Sequence, residues 1–197
     1  MIKRIFDLAL ALAGIAVCAP VLLILVILIR RGSTGPAIFA QTRVGYREKP
    51  FVCYKLRTMY RDTGDKPTHE VGASNVTPLG AFLRRAKLDE LPQLINVIKG
   101  ELSLVGPRPC LTNQTELIEA RRREGVFEAV PGITGLAQIK GVDMSNPAKL
   151  AMVDADYVKS RSFAGDLRIL LATVTGSGVG VDRVTVKQGT QDTKMNP

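Results

Sequence analysis

The sequence predicts a mixed α/β, helix-rich chain carried on an apolar N-terminal helix. Three observations predict it. Leu8 to Ile29 runs for 22 residues without a charge. Two alternating segments, 37–45 and 50–59, are joined by a short turn, as in a β-hairpin. From Thr77 onward, capping residues and prolines repeatedly precede stretches of helical apolar spacing.

With 197 residues the chain can bury a core of its own. Its formal charge of +9, from 27 basic and 18 acidic residues, suits a phosphate-rich partner. Trp is absent and aromatics are few, which argues against a stacking platform for nucleic acid. Cys18, Cys53 and Cys110 are scattered and odd in number, so they read as reduced thiols. The single His69 sits in a polar stretch without a ligating partner and reads as a surface residue.

The apolar run is long enough to cross a bilayer core of ~30 Å. Pro20 interrupts it, removing one helix hydrogen bond. Lys3 and Arg4 flank its start and Arg30 and Arg31 its end, so both ends favour the cytoplasmic side. A re-entrant helix–break–helix satisfies both flanks; a kinked span is the alternative. Cleavage as a signal peptide is disfavoured by the length and the Arg-Arg end.

Residues 32–36 form a turn, and the two hairpin strands meet at 46–49. Alternation along the second strand puts Lys55 and Arg57 on one face. Residues 61–76 read as a polar loop. Thr77-Pro78 opens a helix to about Arg85, with Thr77 as N-cap. The next helix covers 90–98, with Leu91, Leu94, Ile95 and Ile98 on one face, Asp89 as its N-cap, Pro92 in its first turn and Gly100 ending it. Arg84, Arg85 and Lys87 surround the adjacent carboxylates Asp89 and Glu90. Two acids in so basic a corner point to a divalent cation bridging them to phosphate. The bland alternative is a well-capped, solvated helix start.

Further on, 101–105 is a short strand. In Gly106-Pro107-Arg108-Pro109, the two prolines hold Arg108 with little backbone freedom, which favours a phosphate contact. Residues 113–124 form a polar helix with a solvated or head-group-facing surface. Residues 130–141 are a turn feeding a short strand, where Gly132 and Gly135 permit close backbone approach. Asn146 caps a helix from Pro147 to Lys159 carrying Asp154, Asp156 and Tyr157. Ser162 caps a last helix to about Thr175. No internal repeat, Walker loop, nucleophile elbow or zinc cluster is present.

Seven ordered motifs carry a family resemblance: Lys3-Arg4-Ile5-Phe6-Asp7; Pro20 in the apolar run; Phe39 to Gly45; Tyr54 to Met59; Leu88 to Leu94; Ser103 to Pro109; and Pro131 to Gln138. Over residues 1–175 the chain resembles the small monotopic phosphoglycosyl transferases of the bacterial sugar transferase superfamily. That resemblance implies a monotopic membrane protein with an N-terminal re-entrant helix–break–helix, a β-hairpin and interfacial amphipathic helices. Residues 1–31 would be the membrane helix, with Pro20 at the bend. Residues 32–176 would be a catalytic domain on the cytoplasmic face of the bacterial inner membrane, and 177–197 a polar, flexible tail.

It also implies transfer of a sugar 1-phosphate from a UDP-sugar to undecaprenyl or another polyprenyl phosphate through a covalent aspartyl-phosphosugar intermediate, releasing UMP, as the first membrane step of glycoconjugate assembly. Asp89 would be the nucleophile and Glu90 its partner, both near Mg2+, with Mn2+ as a substitute. Lys55, Arg57, Arg84, Arg108, Arg43, Pro107 and Gln138 would surround the substrate phosphates. Partners would be nucleotide sugar, polyprenyl phosphate and membrane lipid, without nucleic acid; a homodimer is left open. The chain departs from the family pattern at Ala19-Pro20, where relatives place a small polar residue before the proline. It departs again at Lys140-Gly141-Val142, where many carry Asn-Gly-Arg, so sugar preference is not carried over. A membrane-tethered basic adaptor without turnover is the alternative of another class.

Overall fold

A computed structural model describes residues 2–60 and 75–177. His69, most of the polar loop read over 61–76 and nearly all of the tail at 177–197 lie outside the described residues. Contacts divide the chain into two compact units, Met1–Arg43 with Pro50–Leu102, and Val44–Lys49 with Ser103–Pro197.

The first unit is built on α1 (Ile2–Gly32), which contains Pro20. The break expected there is corrected to one continuous helical run. Proline removes a single backbone bond, and the turns on either side carry the helix past it. One narrow face of α1 is buried, through Asp7, Ala11, Leu25 and Ile29. Near its start, Gly14 admits the side chain of Leu94; a Cβ there would lie 3.1 Å from that leucine's Cδ1. Near its end, Leu25 and Ile29 join Ala37, Leu56 and Leu83 in a buried cluster.

Strands β1 (Ile38–Val44) and β2 (Pro50–Leu56) pair as a two-stranded sheet. Their connection is a single turn at Tyr46–Glu48, with Arg47 and Glu48 both at positive φ. The expected strand to Met59 stops at Leu56, and Met59 makes an isolated bridge to Val76. Helix α2 (Pro78–Arg85) starts as its sequence predicts, with Thr77 Oγ1 accepting from the Gly80 amide at 2.9 Å. Gly80 lets α2 meet the backbone at Thr58, since a Cβ there would fall 2.0 Å from the Thr58 carbonyl oxygen.

The helix expected over 90–98 begins later. Lys87 is left-handed (φ 56°), Leu88–Glu90 forms a 3-10 turn, and α3 is Gln93–Lys99 with Pro92 as its N-cap. Asp89 is therefore inside the tight turn rather than capping α3. Pro92 has no N–H to give Leu88 O, which accepts instead from Leu91 N at 3.3 Å, and a second i→i+3 bond joins Leu94 N to Leu91 O at 3.1 Å. Gly100, at φ 85°, ends α3 as expected.

The second unit is organised by β3 (Ser103–Val105) and β4 (Gly132–Thr134), which run parallel with Ser103 opposite Gly132 and Val105 opposite Thr134. Around them lie α4 (Thr115–Arg123), α5 (Leu136–Ile139), α6 (Pro147–Ser160) and α7 (Phe163–Thr175). Val44, Cys110, Leu117, Ala137 and Leu150 form its buried cluster. Asn146 caps α6 and Ser162 caps α7, each accepting from an amide three residues on. The surface helix expected over 113–124 is only partly so: Leu117, Ala120 and Arg121 are buried. Helix α7 exposes Phe163, Leu171 and Val174 along one side.

Candidate active site

In the first unit the acidic pair sits where β2, α2 and the 3-10 turn meet. Asp89 is nearly buried, with 9% of its surface exposed. Glu90 accepts from Lys55 Nζ at 3.1 Å, and both side chains are mostly buried. Lys55 reaches it because β2 turns that side chain toward the 3-10 turn, while the left-handed Lys87 reverses the chain just before the acids. Arg84, in the last turn of α2, donates from Nε to Thr58 Oγ1 at 2.9 Å.

Two further cations expected around the phosphates, Arg57 and Arg43, bond to neighbouring groups of the chain. Arg57 is 8% exposed and donates from Nη2 to Ser33 O (2.7 Å), Ser33 Oγ (2.9 Å) and Ile29 O (3.3 Å). It thereby ties the end of β2 to the last turn of α1 and the residue that follows it; Ile29 O also accepts from Ser33 N at 3.2 Å. Arg43 donates to Gln41 Oε1 at 2.6 Å, two residues back along β1.

In the second unit the expected phosphate loop is held along its length. Tyr157 Oη lies 3.1 Å from Val105 O and 2.8 Å from Asp166 Oδ1. Gly106 N donates to Thr134 O at 2.8 Å, and Gly132 N to Pro107 O at 2.9 Å. A Cβ at Gly132 would fall 2.0 Å from Gly106 N, and one at Gly135 2.2 Å from Gly106 O. The motifs at 103–109 and 131–138 are thus one piece of structure whose glycines permit backbone contact. Pro107 and Pro109 are buried and Arg108 is half-buried. Gln138 donates to Ile133 O at 3.1 Å, and its buried Oε1 has no hydrogen-bond partner among the described residues.

Sequence reasoning passed over the group that anchors this loop. Arg121 is 1% exposed and Asp154 is 2% exposed. Arg121 Nε and Nη2 both donate to Asp154 Oδ2, at 3.0 and 2.6 Å, while Nη1 donates to Arg108 O at 2.8 Å. Burial pushes the Asp154 carboxyl above its usual range, and Arg121 opposes that shift. The signal was present: Asp154 occupies the same α6 stripe as Leu150, Ala151 and Tyr157, a polar residue in an apolar register.

Among the described residues no three His, Cys, Asp or Glu side chains are grouped to hold a metal ion. A magnesium ion does not require such a cage; it takes one or two carboxylates and completes its shell with phosphate oxygens and water. The adjacent oxygen donors of Asp89 and Glu90 fit that pattern.

The profile of the family described as "Bacterial sugar transferase" matches residues 1–178. A "UDP-glucose:undecaprenyl-phosphate glucose-1-phosphate transferase" of Caulobacter vibrioides is 41% identical over 181 residues, covering 87% of this chain and 68% of the relative. "Uncharacterized sugar transferase EpsL" of Bacillus subtilis is 38% identical over 98% of this chain and 92% of its own length. The Rhizobium meliloti "Exopolysaccharide production protein ExoY" is 34% identical over 88% and 84%. The chain belongs to the bacterial sugar transferase family.

Proposed function

We propose that this transferase moves a sugar 1-phosphate from a UDP-sugar to undecaprenyl or another polyprenyl phosphate at the cytoplasmic face of the bacterial inner membrane. The observation that carries the reading is the burial of two adjacent acids in a basic corner. Glu90 is paired to Lys55 at 3.1 Å, while Asp89 sits nearly buried beside it in a turn that no capping role explains. Relatives named for this transfer support the substrate class.

In the proposed reaction an Asp89 carboxylate oxygen attacks the phosphorus bearing the sugar. The bond to the UMP oxygen breaks and UMP leaves. An oxygen of the polyprenyl phosphate then attacks the same phosphorus, the Asp89–phosphorus bond breaks, and polyprenyl diphosphate-sugar is released. Arg84 and Lys55 supply positive charge around the acids, and Arg108 is a ligand for the substrate's phosphates. A magnesium ion, when bound, neutralises charge on the diphosphate; Asp89 and Glu90 would hold it.

The membrane reading rests on α1. Its most apolar window has a mean hydropathy of 3.1 and is only 11% buried. Yet both ends are tied to one compact unit. Arg4 donates to Val97 O and, at 2.9 Å, to Ile98 O at the end of α3, while Arg57 holds the far end. The exposed middle includes Val17 and Val21 on either side of Pro20. This supports a helix that lies along one face of the membrane, with its exposed apolar side immersed and both ends on that face. Exposed apolar residues on α7 fit an interfacial helix.

A panel of UDP-sugars with undecaprenyl phosphate, assayed for UMP, tests the reading. UMP release that requires the lipid acceptor for continued turnover is expected. A non-catalytic adaptor releases none, and a hydrolase turns over without lipid.

A further inference from the structure

We infer that Arg121 and Asp154 are positioning residues that set the Arg108 guanidinium for substrate diphosphate. This rests on the reading that Arg108 binds those phosphates. All three guanidinium nitrogens of Arg121 are employed, two on Asp154 and one on the carbonyl of Arg108 itself. That carbonyl belongs to the only residue between two prolines in the loop, so fixing it fixes the Cα from which the Arg108 side chain departs.

The surrounding backbone has no slack. Cys110 O accepts from Val44 N at 3.0 Å and Pro107 O from Gly132 N at 2.9 Å. The Val105 carbonyl is met by the Tyr157 hydroxyl, one helical turn from Asp154 on α6. Helix α6 thus reaches both ends of the loop, at Val105 directly and at Arg108 through Arg121.

Stability alone is a poor reason for this ion pair. A buried pair seldom outperforms apolar residues of similar volume, because both charges must be desolvated. Burial pushes the Asp154 carboxyl up, so its ionised form is held at a cost. What apolar replacements cannot provide is a donor aimed at the Arg108 carbonyl. Arg121 needs Asp154 to be accepted in the core and to be held in the orientation that presents Nη1.

The test uses the full chain in detergent or nanodiscs and reads two quantities: Kd for UDP by calorimetry, and kcat and KM for the UDP-sugar. Arg121→Lys keeps a cation against Asp154 but cannot reach both partners. The double variant Arg121→Met with Asp154→Leu removes both charges and preserves core volume. Each is expected to weaken UDP binding and raise KM by at least about tenfold, with kcat within about twofold and an unchanged melting temperature in the double variant. In an Arg108→Ala background the same substitutions are expected to add nothing. Unchanged UDP affinity in the folded double variant overturns the inference. So does an equal, multiplicative loss in the Arg108→Ala background, or a loss confined to kcat. If UDP affinity responds as expected but no UMP is formed, the transfer reading fails while the positioning role stands. If Arg108→Ala alone leaves UDP affinity unchanged, the inference falls with the role given to Arg108.

Discussion

Asp89 and Glu90 are neighbours in sequence with different surroundings, and the difference comes from one tight turn. Adjacent residues in a helical or 3-10 turn project in different directions, about 100° apart in an α-helix. Glu90 meets Lys55 at 3.1 Å, and Asp89, one residue earlier in the same turn, projects in another direction. The same residue-level logic applies to Glu48, whose carboxylate accepts from Arg122 Nε at 2.8 Å and Nη2 at 2.6 Å. The Arg122 hydrogen bond holds the Glu48 carboxyl below its ordinary value of 4.5. The stabilisation from this pair is fully present above that value and is lost as pH falls through the lowered one. The melting temperature of the native protein should exceed that of Glu48→Gln by a constant margin from pH 7 to about pH 5. The margin should shrink on further acidification and be smaller throughout in high salt.

At the scale of elements, the parallel pair β3–β4 depends on backbone contact. Gly132 has no room for a side chain, with a Cβ only 2.0 Å from Gly106 N. Gly132→Ala should lower stability in denaturant titration by about 1–3 kcal/mol or prevent folding, whereas Gly125→Ala meets open space and is strained only by its φ of 70°. The sequence spoke clearly wherever a local rule governs. The caps Thr77, Asn146 and Ser162, the stop at Gly100 and the close approach at Gly132 and Gly135 each follow from short-range chemistry. It spoke less clearly where a distant residue decides. The start of α3 moved because Lys87 turns left-handed, and Pro92 serves as a cap rather than a first-turn residue. Arg57, one residue past the end of β2, bonds to Ile29 O and Ser33 O, groups more than 20 residues earlier in the chain. Arg121 reads as part of a basic surface run until Asp154, 33 residues later in the chain, is seen to face it.

For the whole molecule, the placement of α1 carries the proposed membrane reading. Both termini of this helix are tied to the same compact unit, so both should face one aqueous compartment. In a variant with Cys18, Cys53 and Cys110 replaced by serine, single cysteines at Ile2 and Arg31 should react with an impermeant maleimide only when inside-out vesicles are used. Labelling of one position from each side would show a span. The central claim, however, is chemical: a carboxylate in the Lys55–Glu90 corner takes the sugar phosphate covalently before the lipid does. The most direct measurement is intact-protein and peptide mass spectrometry after incubation with the turned-over UDP-sugar and no lipid acceptor. The account predicts one added sugar phosphate per chain, located on the peptide bearing Asp89, released on adding polyprenyl phosphate and missing in Asp89→Asn. An Asp89→Asn protein that still turns over, or an adduct on another residue, would contradict it.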